Sequence, residues 1–149
     1  LFPFRKQRCG FSKGHKTTAN ILKRKAFTVS MAEAGQVVAC DYVGIVSGNK
    51  VADKFARAGF HATRSEFVDA PLIDELSVAM ECRLKDYNPE TSILRGEIVN
   101  VSVDERVLGE NGKVDASKVV PIIFDPFNND YLKVGEKVGN AFSDGKILK

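Results

Sequence analysis

The first half of the chain alternates between helical and strand-like spacing of its apolar residues. Residues 17–24 run from threonine through helix-forming residues to two terminal cations, which predicts a short helix with a threonine cap. Residues 26–31 alternate apolar and polar side chains, which predicts a half-buried strand. Residues 51–58 repeat apolar positions every three or four residues and precede Gly59, so we expect an amphipathic helix that ends at a left-handed glycine.

The second half carries the alternation that is typical of long strands. Residues 77–84 place apolar side chains on one face, namely Val78, Met80, Cys82 and Leu84. Residues 93–103 are rich in isoleucine and valine, and the turn-forming residues 86–91 lie between the two segments, which predicts an antiparallel hairpin with a wide loop. Residues 119–124 form a final apolar run, and Pro121 fits the start or edge of a strand. We therefore predict a mainly β fold with short helices, of the α+β class and of barrel or meander type.

Composition limits the chain to one domain and gives its start a positive charge. The 149 residues are 44% hydrophobic, which is the size and composition of a single globular unit. The net charge is +3, and residues 1–25 contain no Asp or Glu, so an anionic ligand is expected to prefer that end. No apolar run reaches the roughly 18 residues that span a bilayer, which predicts a soluble protein without a membrane partner. The three cysteines do not suggest a disulfide framework, so a reducing cytoplasm is the expected compartment. A basic, acid-free start is also the composition of an organelle transit peptide.

The residue types that carry metal or nucleophilic chemistry are sparse. Cys9, Cys40 and Cys82 form no CxxC pair, and their odd number argues against a closed disulfide framework. His15 and His61 lie far apart and in no metal-ligand spacing, so no metal site is expected. No nucleophile elbow is present, and we predict no catalytic side chain. The aromatic residues are not interleaved with a basic patch, which argues against a nucleic-acid partner.

Two loops carry the features of a ligand site. Residues 13–20 combine cations, hydroxyls and a helix N-terminus, which together favour phosphate, although an ordinary capped surface helix has the same composition. Residues 41–50 end an apolar segment in a small-residue turn that a ligand can approach closely, and a plain helix-turn-helix corner remains the alternative. Neither a P-loop nor a Rossmann glycine pattern occurs in the chain.

Several short blocks, in their order along the chain, resemble one family. They are HKTTANI (15–21), FTVS (27–30), DYVGIVSG (41–48), DKF (53–55), APLI (70–73), MEC (80–82), GEIV (96–99) and GEKVG (135–139). This order resembles the flavin reductase-like, flavoredoxin-type domain over roughly residues 13–145. The resemblance implies an FMN-binding split β-barrel that forms a homodimer, with FMN near the subunit interface and its phosphate held by a threonine-containing loop that enters a helix.

Carried over to this sequence, the resemblance implies two groups of cofactor-binding residues. The phosphate-side candidates are Lys16, Thr17, Thr18 and Asn20. The candidates for lining the flavin or the neighbouring subunit's edge of the site are Tyr42, Ser47, Gly48 and Lys50. Family members have several strands before the phosphate loop, so we expect residues 1–12 to be an atypical segment, residues 13–149 to be the domain, and the barrel to be incomplete at its N-terminus.

The expected activity follows from the same resemblance. It implies an FMN-dependent oxidoreductase similar to NAD(P)H:flavin reductases, in which NADH or NADPH gives hydride to flavin and the flavin passes electrons to an acceptor, with a redox partner protein as one candidate acceptor. The cofactor carries this chemistry, so the missing catalytic pair is no objection. The alternatives are a non-enzymatic, flavoredoxin-like FMN-binding electron carrier and a degenerate fragment that binds no flavin.

Overall fold

The computed structural model describes residues 12–149, which fold into short helices and three small antiparallel sheets. The helices are α1 (Lys16–Arg24), α2 (Val37–Ile45), α3 (Lys54–Arg57) and α4 (Ala116–Val119). The strands are β1 (Ala26–Ser30), β2 (Ala62–Arg64), β3 (Pro71–Ile73), β4 (Val78–Asn88), β5 (Ile93–Val103), β6 (Ile122–Asp125) and β7 (Asp130–Lys133). The sheets have the orders β1-β4-β5, β2-β3 and β6-β7. The predicted class, mainly β with short helices, is confirmed.

The predicted first helix is confirmed, but its threonine cap is wrong. His15 is the N-cap residue and makes no side-chain cap hydrogen bond, so both threonines lie inside α1. The Thr18 hydroxyl instead donates to the Ser12 carbonyl at 3.0 Å, which ties the helix to the loop before it. The helix ends at Lys25, whose backbone is left-handed (φ 58°) and whose N–H donates to the Ile21 carbonyl.

The long hairpin is confirmed, with a narrower loop than the sequence predicts. β4 continues to Asn88 and β5 begins at Ile93, since Asp86 pairs with Arg95 within the two strands instead of belonging to the turn. The Asn88 side chain accepts hydrogen bonds from the backbone N–H groups of Glu90 and Thr91, and these bonds close the loop. β1 joins this hairpin along β4, with Phe27 opposite Cys82.

The predicted apolar face of β4 is wrong before a register shift, at Met80, and holds after it, where Cys82 and Leu84 are less exposed than Arg83 and Lys85. Ala79 and Glu81 are buried, whereas Met80 is 36% exposed. The register shifts between Glu81 and Cys82, so Cys82 is buried as well. A bulge of this kind lets two successive side chains point inward, whereas strict alternation would bury only one of them.

The remaining elements depart from the predictions mainly at their ends. The second predicted helix is reduced to α3, since residues before Lys54 form turns, and Gly59 takes the expected left-handed conformation (φ 74°). The predicted final strand starts late, because Val119 belongs to α4 and Val120 is left-handed (φ 49°). β6 then pairs with β7. Among residues 12–149, no helix combines the length and apolarity that a membrane span requires.

Candidate functional site

A cleft of about 710 Å³ opens between α1, β1 and the β2–β3 hairpin. Its lining residues come from four segments: Thr17, Asn20, Ile21 and Arg24 of α1; Ala26, Phe27, Thr28 and Val29 of β1; Ala62, Thr63 and Arg64 of β2; and Asp69, Ala70 and Pro71 before and in β3. The α1 residues are spaced by three or four positions and therefore share one face of the helix. Residues of α1 form one wall of the cleft, residues of β2 and β3 and the loop between them form the opposite wall, and both walls carry polar side chains. The residues of β1 form a largely apolar floor between them.

The floor depends on a contact between Phe27 and a glycine on another strand. A Cβ atom at Gly96 would lie 2.5 Å from the ζ carbon of Phe27 and 3.3 Å from the carbonyl oxygen of Arg83. Such a contact is too short for a side chain, so Gly96 is what lets the aromatic ring lie across the sheet. Beside it, the Thr28 hydroxyl donates to the Pro71 carbonyl at 2.6 Å and fixes the β2–β3 hairpin against β1.

The side of the cleft opposite α1 includes a loop, residues 65–70, that closes on the hydroxyl of Ser65. This hydroxyl accepts hydrogen bonds from the backbone N–H groups of Phe67 and Val68, each at 3.0 Å, and donates its own hydrogen to Glu81. The Ser65 N–H donates to the Ala70 carbonyl at 3.1 Å and closes the loop from its other side. The wall is therefore held by bonds that its own backbone and the sheet supply.

Glu81 is the anchor of this wall. Its side chain is 0% exposed, and one carboxylate oxygen accepts from Asn100 at 2.7 Å and from the Ser102 hydroxyl, while the other accepts from Ser65. Burial raises the pKa of Glu81, but the hydrogen bonds from Ser102, Ser65 and Asn100 together lower it below its ordinary value. The carboxylate is therefore ionised at neutral pH and stays an acceptor for all three donors.

The predicted phosphate-side residues separate into two groups. Thr17 and Asn20 line the cleft from α1. Lys16 is the exposed first residue of the same helix, at its positive end. Thr18 is 1% exposed and its hydroxyl bonds to the loop backbone, so its side chain does not face the cleft.

The second predicted group lies partly beside the first. Gly48 packs on Lys16, since a Cβ atom there would be 3.4 Å from the Lys16 Cβ atom. The Asn49 side chain donates to the Gly14 carbonyl at 2.7 Å. The turn at residues 47–50 is therefore fixed against the N-terminus of α1.

Tyr42 lies elsewhere. It lines a separate pocket of about 340 Å³ with Arg57 and residues of α2. Ser47 and Lys50 belong to the turn beside α1, where the Ser47 carbonyl accepts from the Lys50 N–H at 3.0 Å. The structure thus brings Thr17 and Asn20 to the cleft, places Lys16 and the turn at residues 47–50 at the N-terminus of α1, and leaves Thr18 and Tyr42 outside the cleft.

Four residues that shape the cleft were not predicted from the sequence, namely Arg24, Arg64, Asp69 and Glu81. A partial signal existed for Arg24, which is seven residues after Thr17 and so falls on the same helix face. No local pattern marks Asp69 or Glu81, because their contacts with Arg24 and Ser65 join residues that are 45 and 16 positions apart. Arg64 lies near Asp69 in the chain, but the loop between them has no periodic pattern.

Among the described residues, the structure shows neither a thiol with a lowered pKa nor a cluster of metal-ligating side chains. Cys82 is buried and Cys40 is half-buried, and burial raises the pKa of both thiols, so both are protonated at neutral pH. Cys9 and residues 1–11 of the predicted atypical segment lie outside the described residues. Within residues 12–149 no cluster of three metal-ligating side chains is found.

Comparison with known proteins identifies a family over most of this chain. The model of the flavin reductase like domain matches residues 9–124. An uncharacterized protein of Aquifex aeolicus (strain VF5) is 32% identical over 108 residues, which are 71% of this chain and 55% of that protein. The chain therefore spans little more than half of the length of this relative.

Solved structures show the same fold. The flavoredoxin of Desulfovibrio vulgaris (Miyazaki F) superimposes with a TM-score of 0.83 at 41% identity, over 89% of this chain and 72% of that one. The flavoredoxin from Methanosarcina acetivorans gives 0.81 at 31% identity, over 93% and 73%. An FMN-binding domain of a flavin reductases-like enzyme from Shewanella baltica OS155 gives 0.74 at 18% identity, over 87% and 70%, and supports the fold alone.

Proposed function

The chain belongs to the flavin reductase-like domain family, and from this premise we propose that it binds FMN in the cleft between α1 and the β2–β3 hairpin. The observation that carries the proposal is that Thr17 and Asn20, which the resemblance implies as phosphate-side residues, share the face of α1 that lines this cleft. A volume of about 710 Å³ lies in the range of cofactor sites.

The chemistry of the lining fits the two parts of FMN. Backbone N–H groups in the first turn of a helix have no partner within it, and the helix dipole adds positive potential there, so the start of α1 suits a phosphate. Lys16 supplies a formal charge at that end. Phe27, Val29 and Ile21 supply an apolar surface for a planar ring system.

The proposed activity is the transfer of hydride from NADH or NADPH to flavin, followed by transfer of electrons to an acceptor. Bound flavin supplies the redox chemistry. The residues of this chain bind and orient the cofactor, and Glu81 anchors the loop that forms part of one side of the cleft through its hydrogen bond from Ser65. Because bound flavin supplies the redox chemistry, the proposed activity requires no catalytic side chain.

A non-enzymatic electron carrier is the second candidate. It is favoured by the 41% identity to a flavoredoxin over 89% of this chain. Steady-state oxidation of NADH and NADPH by the FMN-loaded protein separates the two candidates. Turnover with free flavin or another acceptor supports the reductase, and flavin that is reduced only by a partner protein supports the carrier.

We also propose that the chain forms a homodimer. Val29, Met80 and Val101 follow one another in register across β1, β4 and β5, and all three are exposed. A contiguous row of exposed apolar side chains on a sheet is typical of an interface. Light scattering tests this proposal: Val101→Lys is expected to shift a dimer to a monomer, and a wild-type monomer at high concentration would contradict it.

The experiment that tests FMN binding compares two threonines. Wild-type protein is mixed with FMN, desalted and titrated by flavin fluorescence, and one FMN per chain with a Kd below about 100 μM is expected. Thr17→Val removes one hydroxyl from the cleft and is expected to weaken binding about tenfold, on the scale of one hydrogen bond to a charged group. Thr91→Val, in the exposed β4–β5 loop, is the control and should leave the Kd unchanged.

Two outcomes would contradict the proposal. If the wild-type protein releases all flavin and shows no quenching at about 100 μM, FMN binding fails and the reading as a degenerate fragment leads. If Thr17→Val and Thr91→Val change the Kd equally, FMN binds but the cleft is the wrong site.

A further inference from the structure

Two guanidinium groups face one carboxylate at the end of the cleft that is remote from the start of α1. The Arg24 guanidinium lies 2.8 Å and the Arg64 guanidinium 3.7 Å from the carboxylate oxygens of Asp69. All three residues line the cleft, and we call them the arginine end. Two cations against one anion leave this end with a net charge of +1.

The arginine end is separated from the proposed phosphate end by the length of α1. Arg24 follows Thr17 by seven residues, a rise of about 10 Å along a helix axis. The apolar floor formed by Phe27 and Val29 lies along the same cleft. The cleft therefore carries positive charge at two places, and a single phosphate group bound at the start of α1 leaves the second place free for another anion.

Asp69 is held in place by the wall rather than by the arginines alone. It belongs to the loop that Ser65 closes and that Glu81 anchors to the sheet. The hydrogen bond from Arg24 lowers the pKa of Asp69 despite the opposing effect of burial, so this carboxylate is ionised at neutral pH. Asp69 therefore holds the Arg24 guanidinium at the cleft by a hydrogen bond and attracts the nearby guanidinium of Arg64.

Arg64 has the donor capacity that a ligand needs. Its side chain is 83% exposed, and its distance of 3.7 Å to Asp69 is too long for a hydrogen bond. No hydrogen bond joins its guanidinium to another residue in the 12–149 region. A guanidinium group presents five N–H donors in a planar fork that matches two oxygens of a phosphate group.

We propose that the arginine end is a second anion subsite, which binds a phosphate group of the nicotinamide nucleotide that donates hydride. The inference rests on the proposed FMN function and adds the residues that recognise the second substrate. The phosphate has two sources, the pyrophosphate that NADH and NADPH share and the additional phosphate of NADPH. Arg64 makes the contact, and Arg24 and Asp69 hold the local charge in place.

The test is a calorimetric titration of NADP⁺ and NAD⁺ into the protein with and without saturating FMN. Arg64→Gln removes the guanidinium, and Arg95→Gln is the matched control, because Arg95 is 74% exposed, pairs with Asp86 and lies on β5 outside the cleft. Arg64→Gln is expected to raise the Kd for NADP⁺ at least about tenfold, on the scale of one charge-assisted hydrogen bond. Arg95→Gln should leave it unchanged, and neither variant should alter the Kd for FMN.

If Arg64→Gln loses affinity for NADP⁺ alone, Arg64 binds the additional phosphate of that nucleotide. If it loses affinity for NAD⁺ and NADP⁺ equally, Arg64 binds the pyrophosphate. Three results would overturn the subsite. The first is an equal loss of nucleotide affinity in Arg64→Gln and Arg95→Gln, and the second is a parallel loss of FMN affinity in Arg64→Gln. The third is a wild-type protein that binds FMN but neither nucleotide. If FMN does not bind, the proposed function fails by itself, and nucleotide binding that depends on Arg64 in the flavin-free titration still supports the subsite.

Discussion

Replacing Glu81 by glutamine tests whether one buried carboxylate holds the wall of the cleft. Both lone pairs of the Ser65 hydroxyl are occupied by the Phe67 and Val68 N–H groups, so its hydrogen is committed to Glu81. A glutamine at position 81 has one acceptor oxygen and one NH₂ group, and this NH₂ group must face a donor on one side or the other. One unsatisfied buried donor costs about 1–3 kcal/mol, and the free energy of unfolding should fall by about this amount.

The pH dependence of this loss has a definite sign. Burial raises the pKa of Glu81, but the hydrogen bonds lower it by more than burial raises it, so its folded-state pKa lies below the ordinary carboxyl value. Its stabilisation is therefore complete above the unfolded-state pKa of about 4.3 and is lost as the pH falls through the lower folded-state pKa. Because glutamine does not titrate, the difference between wild type and Glu81→Gln should shrink as the protein is acidified.

The assay is urea unfolding followed at several pH values, with hydrogen exchange of the Phe67 and Val68 amides as the local readout. Glu97→Gln is the control, since Glu97 is an exposed carboxylate on the same sheet whose ion pair with Lys85 contributes little. If Glu81→Gln is as stable as the wild type at pH 7, or loses only as much free energy of unfolding as the control, Glu81 does not hold the loop. Unchanged exchange at the two loop amides would lead to the same conclusion.

Three further predictions concern one side-chain contact, one backbone conformation and one hydrogen bond. Gly96→Ala should lower the free energy of unfolding by about 1–3 kcal/mol through its clash with Phe27; in a Phe27→Leu background the loss should be smaller, and equal losses in the two backgrounds would exclude the ring contact. Gly59→Ala should cost about 1 kcal/mol in thermal unfolding, because its φ of 74° is left-handed, and a neutral result would contradict that conformation. The hydrogen bond to Glu75 raises the pKa of His61, so its stabilisation is complete below the unfolded-state pKa and disappears as the pH rises through the folded-state pKa; an NMR titration unmoved by Glu75→Gln would contradict the pairing.

Local periodicity predicted the elements that local contacts determine. α1 and β1 could be read from short windows, because helix formers and alternating side chains act over a few residues. The β4–β5 hairpin could be read for the same reason. The resemblance identified the family and two cleft residues of α1, Thr17 and Asn20, which the structure places on one face.

The burial of Glu81 could not be predicted from the sequence pattern. Alternation places its side chain on the polar face of β4, yet it is the most completely buried side chain of the hairpin. The reversal needs a bulge, and the burial is tolerated because donors arrive from Ser65, Asn100 and Ser102, which lie 16 to 21 residues away in the chain. Contacts of this separation leave no periodic signal, and the same is true of the pairing of Arg24 with Asp69.

Amide NMR shifts mapped during an FMN titration will show whether FMN binds between α1 and the β2–β3 hairpin, as we propose. We expect saturable shifts that concentrate at residues around the cleft, namely Thr17, Asn20, Phe27 and Thr63. Shifts centred instead on the separate pocket of α2 and Arg57, or no saturable shifts at all, would contradict the proposal.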